Sequence, residues 1–589
     1  MQDRITTLWF KWLEGLNFRL ARPDALLHLA LFGLITGLLS GGVIIIFRLI
    51  VESSQDFLLP GEGSENYEAL SPLLRIIFPI VASLLMAILF YKWSKGIRVL
   101  GIARVMERVT FHQGYLTPRG FIIQFVGASL AIIGGHSVGR EGPHAYLGAS
   151  ISSLFGQLFK LPHNSIRTLV ASGSAAAIAA SFNTPLAGVI FALEVIMMEY
   201  TLSSFVPVML AAVSATVISN LAFSSESAFS IVGFVGIPLS EYPVVIALGV
   251  FVGGCAASFN HLLTLIASRS QVLDIWWRIM LAGFLIAALG LIEPGILGIG
   301  YDTVNSILST ELVLLSLISL AFFKIIATCV SVGLGVPGGM VGPALFTGAS
   351  LGGIVGTIAM SIYSFDSSHF VSYSLLGMGA MMGASLQAPL SALVAIVELT
   401  YKADIIMPGM LVIVIAQLTA SEIFKKQSLF VTMLRANGLD YSLNPVLQLL
   451  RSVGIATALE AKFEHNKVLI TIGDAHTLVE KTSNEWIVID DHNGNIDSLM
   501  SVSELAKYLL VHEEDMENTD NEIDLLAIPA QRLQLSAISL RANLMQAHER
   551  FKAGDEALYI TFREQKGHFN TRIYGILTPS MIDKAYLPE

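Results

Sequence analysis

The sequence predicts an all-α polytopic membrane domain, built from two related halves with interrupted helices and followed by a small soluble α/β domain. Three observations carry that reading. Of 589 residues, 54% are hydrophobic and only 14% charged, and the mean hydropathy is +0.68; no soluble globular domain needs that balance. A glycine-rich motif recurs 200 positions after its first appearance. From about Lys426 onward, charged residues become frequent and spanning segments stop.

The chain opens with a basic segment, 1–24, in which Arg4, Lys11, Arg19 and Arg22 precede the first apolar run. With no cleavable signal peptide evident, the positive-inside rule puts this segment in the cytoplasm. Apolar stretches long enough to cross a bilayer follow at Ala25–Val51, Leu70–Tyr91, Val244–Ala267 and Leu312–Val332. Shorter stretches broken by Gly and Ser, such as Phe121–Gly135 and Ala344–Ile362, predict helices that stop partway and line a protected pathway. The acidic loop Gly61–Glu68 reads as external. Lys92, Lys95, Arg98, Arg104 and Arg108 bring the chain back inside, and Lys425 and Lys426 place the C-terminal part there too. The expected organisation is a cytoplasmic segment 1–24, a transport domain 25–425 with repeats around 70–223 and 270–424, and a cytoplasmic domain 426–589.

The repeat begins at Gly139-Arg140-Glu141-Gly142-Pro143, followed by Gly148-Ala149-Ser150 and Gly156. It returns as Gly339-Met340-Val341-Gly342-Pro343, Gly348-Ala349-Ser350 and Gly356. A second block, Gly173, Ala176, Ala180, Ser181, Pro185, Leu186 and Glu194, recurs as Gly377, Ala380, Ala384, Ser385, Pro389, Leu390 and Glu398, now 204 positions on. Ordered matches at near-constant spacing indicate internal duplication. The change of offset predicts a four-residue insertion in the connector between the blocks. Each copy of the first block is a glycine turn passing through proline into a small-residue helix, which suits a helix N-terminus that presents backbone N–H groups to an anion.

Glu141 is the leading functional residue. An ionised carboxylate inside a membrane is costly unless paired or hydrated, and is functional by default. At a helix N-terminus it would use the N–H donors that a permeating anion also needs, so carboxylate and anion would compete and the side chain would act as a gate. The bland alternative is a carboxylate paired permanently with Arg140. His136 and His144 bracket the motif; they are expected to be ordinary satisfied polar residues rather than proton sensors. The duplicated Glu194 and Glu398 read as structural, since each sits at the same point of its repeat.

The Gly-Arg-Glu-Gly-Pro stretch, the second Gly-x-x-Gly-Pro copy, and Ser181-Phe182-Asn183-Thr184-Pro185-Leu186-Ala187-Gly188 resemble the CLC family of chloride channels and chloride/proton exchangers. The resemblance spans nearly all of positions 25–425 and implies a bacterial inner-membrane homodimer with one pore per subunit. It further implies that each subunit is an inverted repeat whose helix N-termini meet at a dehydrated chloride. By position, Glu141 looks like the gating glutamate. Gly139, Arg140 and Gly142 in the first copy, Gly339, Met340 and Val341 in the second, and Gly101 and Ile102 in an earlier loop look like anion-binding positions.

Three departures from the family pattern matter. Leu100 stands where a serine hydroxyl helps hold the central anion. Ala403 stands where a central tyrosine belongs, with Tyr401 two positions away and able to replace it only if the helix start shifts. Val195 stands where exchangers commonly carry an inward-facing glutamate. Without the hydroxyls, backbone amides would hold chloride. Without that glutamate, the usual inner proton acceptor is missing, which favours passive conduction over chloride/proton antiport.

The region 426–589 predicts a helix in Val446–Glu460 and strands at Lys467–Ile472, Trp486–Ile489 and Ala557–Phe562. The acidic run Glu513–Asp524, which contributes to the net charge of −10, reads as a solvated loop. Val488-Ile489-Asp490 with Ser501-Val502-Ser503-Glu504, and Tyr574-Gly575-Ile576-Leu577-Thr578, resemble the ends of a degenerate pair of CBS motifs. In the second module the position expected to hold a ribose-binding aspartate is Met581, with Asp583 two residues late; in the first, Glu504 could serve, yet a dimer-stabilising platform is favoured over adenine-nucleotide binding. Cys255 and Cys329 lie in apolar segments and offer neither a disulfide framework nor a zinc spacing. His512-Glu513 and His548-Glu549 lack the second histidine of a zinc protease, so an enzyme is not expected, and nothing suggests a nucleic-acid surface.

Overall fold

The computed structural model describes the chain from Ala25 onward, together with Gly15, Phe18 and Leu20, except residues 61–64, 95–100, 224–228, 230, 232–234, 310–312, 364–368, 440–449, 452, 481–484, 513–521, 563–571 and 587–589. Leu100, the basic residues Arg4, Lys11, Arg19, Arg22, Lys95 and Arg98, and most of the acidic run therefore lie outside the described residues. Two compact units form. One comprises His28–Gln157 with Ile166–Ser442, the other Leu443–Glu589 with Met1–Leu27 and Leu158–Ser165.

Among the described residues the larger unit is built of helices, with one isolated bridge between Gly139 and Gly339. It opens with α1 (Leu26–Leu58). Seven helices follow: α2 (Pro72–Trp93), α3 (Ile102–Phe111), α4 (Pro118–Ile133), α5 (Glu141–Leu158), α6 (His163–Phe182), α7 (Pro185–Phe191) and α8 (Leu202–Phe223). After α9 (Tyr242–Ser270), the same succession returns as α10 (Ile275–Ile292), α11 (Tyr301–Ser309), α12 (Leu314–Gly333), α13 (Val341–Tyr363), α14 (His369–Leu386), α15 (Pro389–Thr400) and α16 (Ile406–Leu418). A short α17 (Leu429–Ala436) closes the unit. Among the described residues nine helices are long and apolar enough to cross a membrane, while α4, α15 and α7 with its π-helical continuation are shorter apolar helices. The protein is an integral membrane protein.

Why these residues stop and start helices is visible at the repeat's turns. Proline occupies the first turn of α4, α7 and α15, where its missing N–H costs nothing. Immediately before α7 and α15, Asn183 and Gln387 both take a left-handed backbone, φ 58° and 54°. Gly135 and Gly335, at the ends of α4 and α12, share it too, φ 74° and 97°. The duplication read from residue types is thus also present in backbone dihedrals.

Two expectations need correction here. The Ala344–Ile362 stretch is not a broken segment: α13 is a continuous helix of 23 residues, against 18 for α5. The extra residues of the second half lengthen this helix rather than a connector. Its glycines serve helix crossing. A Cβ on Gly348 would sit 2.4 Å from the Gly377 carbonyl oxygen, and one on Gly148 would sit 2.1 Å from that of Gly173. Backbones in van der Waals contact are how helices associate in lipid, where burial of apolar surface gives no drive.

The smaller unit carries a six-stranded mixed sheet in the order β1-β3-β4-β6-β7-β8. Its elements are β1 (Phe463–Asn466), β2 (Leu469–Thr471), α18 (Ile472–Glu480), β3 (Trp486–Asp490), β4 (Ile496–Ser501), α19 (Val502–Val511), β5 (Glu522–Asp524), β6 (Arg532–Ser539), α20 (Leu544–Lys552), β7 (Ala557–Thr561), β8 (Ile573–Leu577) and α21 (Pro579–Tyr586). β1 runs parallel to β3 and β3 antiparallel to β4; β6, β7 and β8 repeat that pattern, and β4–β6 pairing joins the two modules. Each module buries its own apolar cluster, one around Ile487 and Met500, the other around Ile560 and Leu577. The three predicted strands are present. Of the helix expected over Val446–Glu460, residues 446–449 and 452 lie outside the described residues, Leu450 and Arg451 are helical, and from Gly454 the chain departs from it in a 3-10 turn, Ile455–Thr457, then bridges Ile576 through Glu460. Glu522–Asp524, the described end of the acidic run, pairs with β2 instead of looping free.

Candidate functional site

The two glycine motifs meet. Gly139 and Gly339 donate their N–H groups to each other's carbonyl oxygens at 2.8 and 2.6 Å, a two-residue antiparallel bridge. That clasp holds the start of α5 against the start of α13. Because their amides are spent on each other, these two glycines offer an anion close backbone approach rather than N–H donors.

The Glu141 carboxylate lies in the clasp, with the residue only 1% exposed. Oε2 accepts the Gly342 N–H at 3.1 Å, from the first turn of the opposite half's helix. Oε1 accepts the hydroxyl of Tyr301, the first residue of α11. Glycine is required around it: a Cβ on Gly139 would fall 2.1 Å from Oε2, and those on Gly339 and Gly342 would each fall 3.0 Å from the carboxylate. Met340 and Val341 are buried in the turn that leads into α13. Gly142 packs on the Gly339 backbone, and Gly101, with φ 74°, lies beside Gly142. The N-termini of α3, α5 and α13 therefore converge on one spot, each directing the positive end of a helix toward it.

Arg140 does not pair with Glu141. Its guanidinium faces Glu52 at 3.6 Å, donates to the Ser181 carbonyl at 3.3 Å and lies 5.0 Å over the Tyr301 ring. The Glu52 carboxylate is shared with Arg48 at 3.0 Å. A permanent Arg140–Glu141 pair is thereby set aside.

Two cavities adjoin the Gly139–Pro143 motif. One is lined by Glu141 with Ile178, Phe182, Thr184, Ala187, Phe191, Val341, Leu345, Met382, Ala395 and Leu399, so its wall is apolar apart from the carboxylate and Thr184. The other is polar, lined by Arg48, Glu52, Gln55, Glu65, Arg140 and His144 among apolar neighbours. His136 is satisfied at one nitrogen, its Nε2 3.0 Å from Ser83 Oγ, while its buried Nδ1 has no side-chain hydrogen bond. His144 is satisfied at neither: it is fully buried, stands edge-on to Phe47, and neither ring nitrogen has a hydrogen-bond partner. The expectation of an ordinary satisfied histidine fails there.

The repeated glutamates are caps, exchanged between halves. Glu398 accepts the N–H groups of Leu186 and Ala187 at the start of α7, at 2.9 and 2.7 Å. Glu194 accepts those of Leu390 and Ser391 at the start of α15, at 3.1 and 2.7 Å, plus the Ser391 hydroxyl at 2.5 Å. Each satisfies orphan donors of the other's helix. Val195, beside Glu194, is buried within the π-helical segment Ala192–Met197.

The tyrosine question is answered against Tyr401, which ends α15 in a left-handed conformation, φ 51°, and is 72% exposed. Ala403 lies exposed in the 3-10 turn Ala403–Ile405 that precedes α16. Sequence reasoning missed Tyr301, and also Gln124, a fully buried α4 residue whose Oε1 accepts the Gly101 N–H at 3.0 Å. The Gly101 amide is thus already engaged, while Ile102 is buried at the start of α3. One signal for Tyr301 was available: Gly300-Tyr301, with φ 87° at Gly300, sits where Gly101-Ile102 sits in the first half.

The sequence profile described as the voltage gated chloride channel family matches residues 82–421. The chain belongs to this CLC family. Proteins named voltage-gated ClC-type chloride channel ClcB are similar to it. That of Escherichia coli is 28% identical over 367 residues, covering 61% of this chain and 87% of the relative. That of Salmonella dublin is 29% identical over 374 residues, covering 62% and 88%. A slow cyanobacterial Cl⁻/H⁺ antiporter shares the fold with a TM-score of 0.63 at 21% identity, over 69% of this chain and 97% of that one. A eukaryotic CLC transporter does so with a TM-score of 0.60 at 19% identity, over 94% and 97%, so the likeness runs on through the C-terminal α/β region of this CLC protein.

Proposed function

We propose that this protein transports chloride by passive conduction through a pore gated by Glu141. The observation that carries the reading is the place of the carboxylate: it accepts the Gly342 N–H at the start of the opposite half's helix. A dehydrated chloride needs the same kind of donor at the same helix end. When Glu141 takes up a proton or swings aside, the Gly342 amide and the neighbouring turn of Met340 and Val341 are released to the anion. Gly139, Gly142 and Gly339 let the ion approach the backbone, Arg140 supplies positive potential, and Gly101 and Ile102 face the site from α3.

Exchange of chloride for protons would need an inner proton acceptor. Val195 has no titratable group, and the adjacent Glu194 carboxylate is committed to the N-terminus of α15. Both facts favour the passive reading. The bacterial ClcB relatives and the distribution of basic residues support a bacterial inner-membrane protein with both termini cytoplasmic, working as a homodimer with one pore per subunit. The C-terminal unit, from Leu443 rather than from residue 426, is read as a CBS-like platform: Glu504, the residue placed to hold a ribose, is paired with Lys507 at 2.5 Å.

The test is simultaneous recording of chloride and proton flux in purified proteoliposomes under a chloride gradient. Chloride movement without protons is expected. Protons driven uphill by that gradient would overturn passive conduction.

A further inference from the structure

The loop that delivers Tyr301 is held from three sides. The Gly298 N–H donates to the Gly135 carbonyl at 3.0 Å. Fully buried Lys324 donates to the carbonyls of Ile296 and Gly298, both at 3.0 Å. Glu65 accepts the Tyr301 N–H at 2.9 Å. The ring is fixed by Phe229 at 5.1 Å and Phe182 at 6.1 Å between centroids. A phenol so constrained keeps its hydroxyl at the Glu141 carboxylate, and a hydrogen bond to a charged group outweighs a neutral one.

We propose that Tyr301 is the latch of the gate: its hydroxyl holds the Glu141 carboxylate in the closed position and sets the pH at which the pore opens. This rests on the gating reading of Glu141 given above. Tyr301 is a positioning residue, acting on chloride only through that carboxylate. The hydroxyl donates to the ionised carboxylate and so opposes its protonation; losing the donor makes protonation easier and opening occur at higher pH. The other charged or titratable groups facing this pair are Arg48 and Glu52 from α1, Glu65 from the loop before α2, Arg140 and His144 of the gate motif, Asp302 of α11 and Lys324 of α12. None of these is altered in the test.

The experiment compares the full-length wild type, Tyr301→Phe, Glu141→Gln and the double variant, reading chloride efflux from proteoliposomes across pH. In Tyr301→Phe the midpoint of acid activation should move up by about one to two pH units, roughly ten- to hundredfold in proton concentration, as for one lost hydrogen bond to a charge. Glu141→Gln should be flat with pH, and adding Tyr301→Phe to it should change nothing further. An unmoved midpoint in Tyr301→Phe overturns the latch, as does an equal effect of Tyr301→Phe in the Glu141→Gln background. Should Glu141→Gln keep the wild-type pH profile, the gating reading itself falls, a separate result. Where Tyr301→Phe fails to fold, 3-fluorotyrosine at position 301 decides. It is a stronger donor of nearly the same shape and should move the midpoint to lower pH; no movement overturns the proposal.

Discussion

Replacing Gly139 by alanine should prop the gate open. Gly139 has no positive φ, so its backbone accepts an alanine without strain. The added Cβ would lie 2.1 Å from Glu141 Oε2, well inside the 3.4 Å at which ordinary contact begins. Its next neighbours, the Gly342 nitrogen and Pro343 Cδ, both at 3.1 Å, need give by only a few tenths of an ångström. The carboxylate is the free end of a flexible side chain and will be the part that moves. Leaving its place forfeits two bonds, from Gly342 N–H and Tyr301 OH. Hydrogen bonds to a charged group contribute about 1.5–3 kcal/mol each, so the closed state loses roughly 3–6 kcal/mol. At about 1.4 kcal/mol per decade, the closed-to-open ratio falls on the order of 10² to 10⁴.

The assay is chloride efflux from proteoliposomes, read with a chloride electrode between about pH 3 and 7, a window spanning ordinary carboxylate protonation. Wild-type flux should rise as pH falls, because protonation frees the carboxylate from its donors. Gly139→Ala should conduct at neutral pH near the wild-type acid maximum and show little pH dependence. Glu141→Ala should match it, and the double variant should conduct no more than either single one, since both remove the same barrier. A monodisperse Gly139→Ala protein with wild-type flux and pH response at every point would refute the reasoning.

Two further outcomes follow from the reciprocal contacts. Glu398→Gln keeps only one good acceptor for the Leu186 and Ala187 donors, so about 1–3 kcal/mol should be lost; Glu194→Gln, whose one remaining oxygen can still accept both Ser391 donors, should lose no more. Thermal unfolding in detergent, followed by loss of the monodisperse peak, checks the order, and flux per folded protein should keep its wild-type pH profile. Gly348→Ala places a methyl 2.4 Å from the Gly377 carbonyl and must spread α13 from α14, at a cost of about 1–3 kcal/mol for overpacking. Its unfolding midpoint should fall by several degrees, and an unchanged midpoint would mean that this crossing is not close-packed.

The residues that spoke plainly in the sequence are those whose chemistry is local. Gly139, Gly339 and their prolines announce a helix start because glycine and proline restrict the backbone wherever they stand. Glu194 and Glu398 could be read as structural because duplication placed them identically. What the sequence hid depends on contacts between distant segments. Gly300-Tyr301 marks a repeated helix start, but does not show that the hydroxyl reaches a carboxylate 160 residues earlier. Gln124 looks like any helical glutamine until α3 is seen to start against it. The glycines of α13 misled for the opposite reason. In water they would weaken a helix, but here Gly348 and Gly352 face the backbones of Gly377 and Tyr373 while Gly353 and Gly356 face the rings of Phe370 and Tyr373, and a continuous helix results. Tyr401 tempted because it is close in sequence to the family's tyrosine position, yet the left-handed turn at the end of α15 points it outward.

The manner in which the halves differ bears on mechanism. The clasp is symmetric: Gly139 with Gly339, and Glu194 with Glu398 capping each other's helices. The polar side chains at its centre are not. Glu141 comes from the first half, and its counterpart in the second is Val341; Tyr301 comes from the second half, and its counterpart in the first is Ile102. One half supplies a carboxylate and the other supplies the two donors that hold it, so the pair of helix ends carries a single polar barrier rather than two. Beyond that barrier the cavity wall is apolar, with Thr184 its one other polar side chain among the lining residues. The proposed passive reading follows from this asymmetry: an exchanger that passes protons inward through a side-chain acceptor uses a second titratable group on the far side. Val195 and the committed Glu194 leave that role unfilled in these segments. On the proposed reading, this one titratable barrier lifts on protonation and chloride flux then follows its gradient, which the simultaneous chloride and proton recording tests.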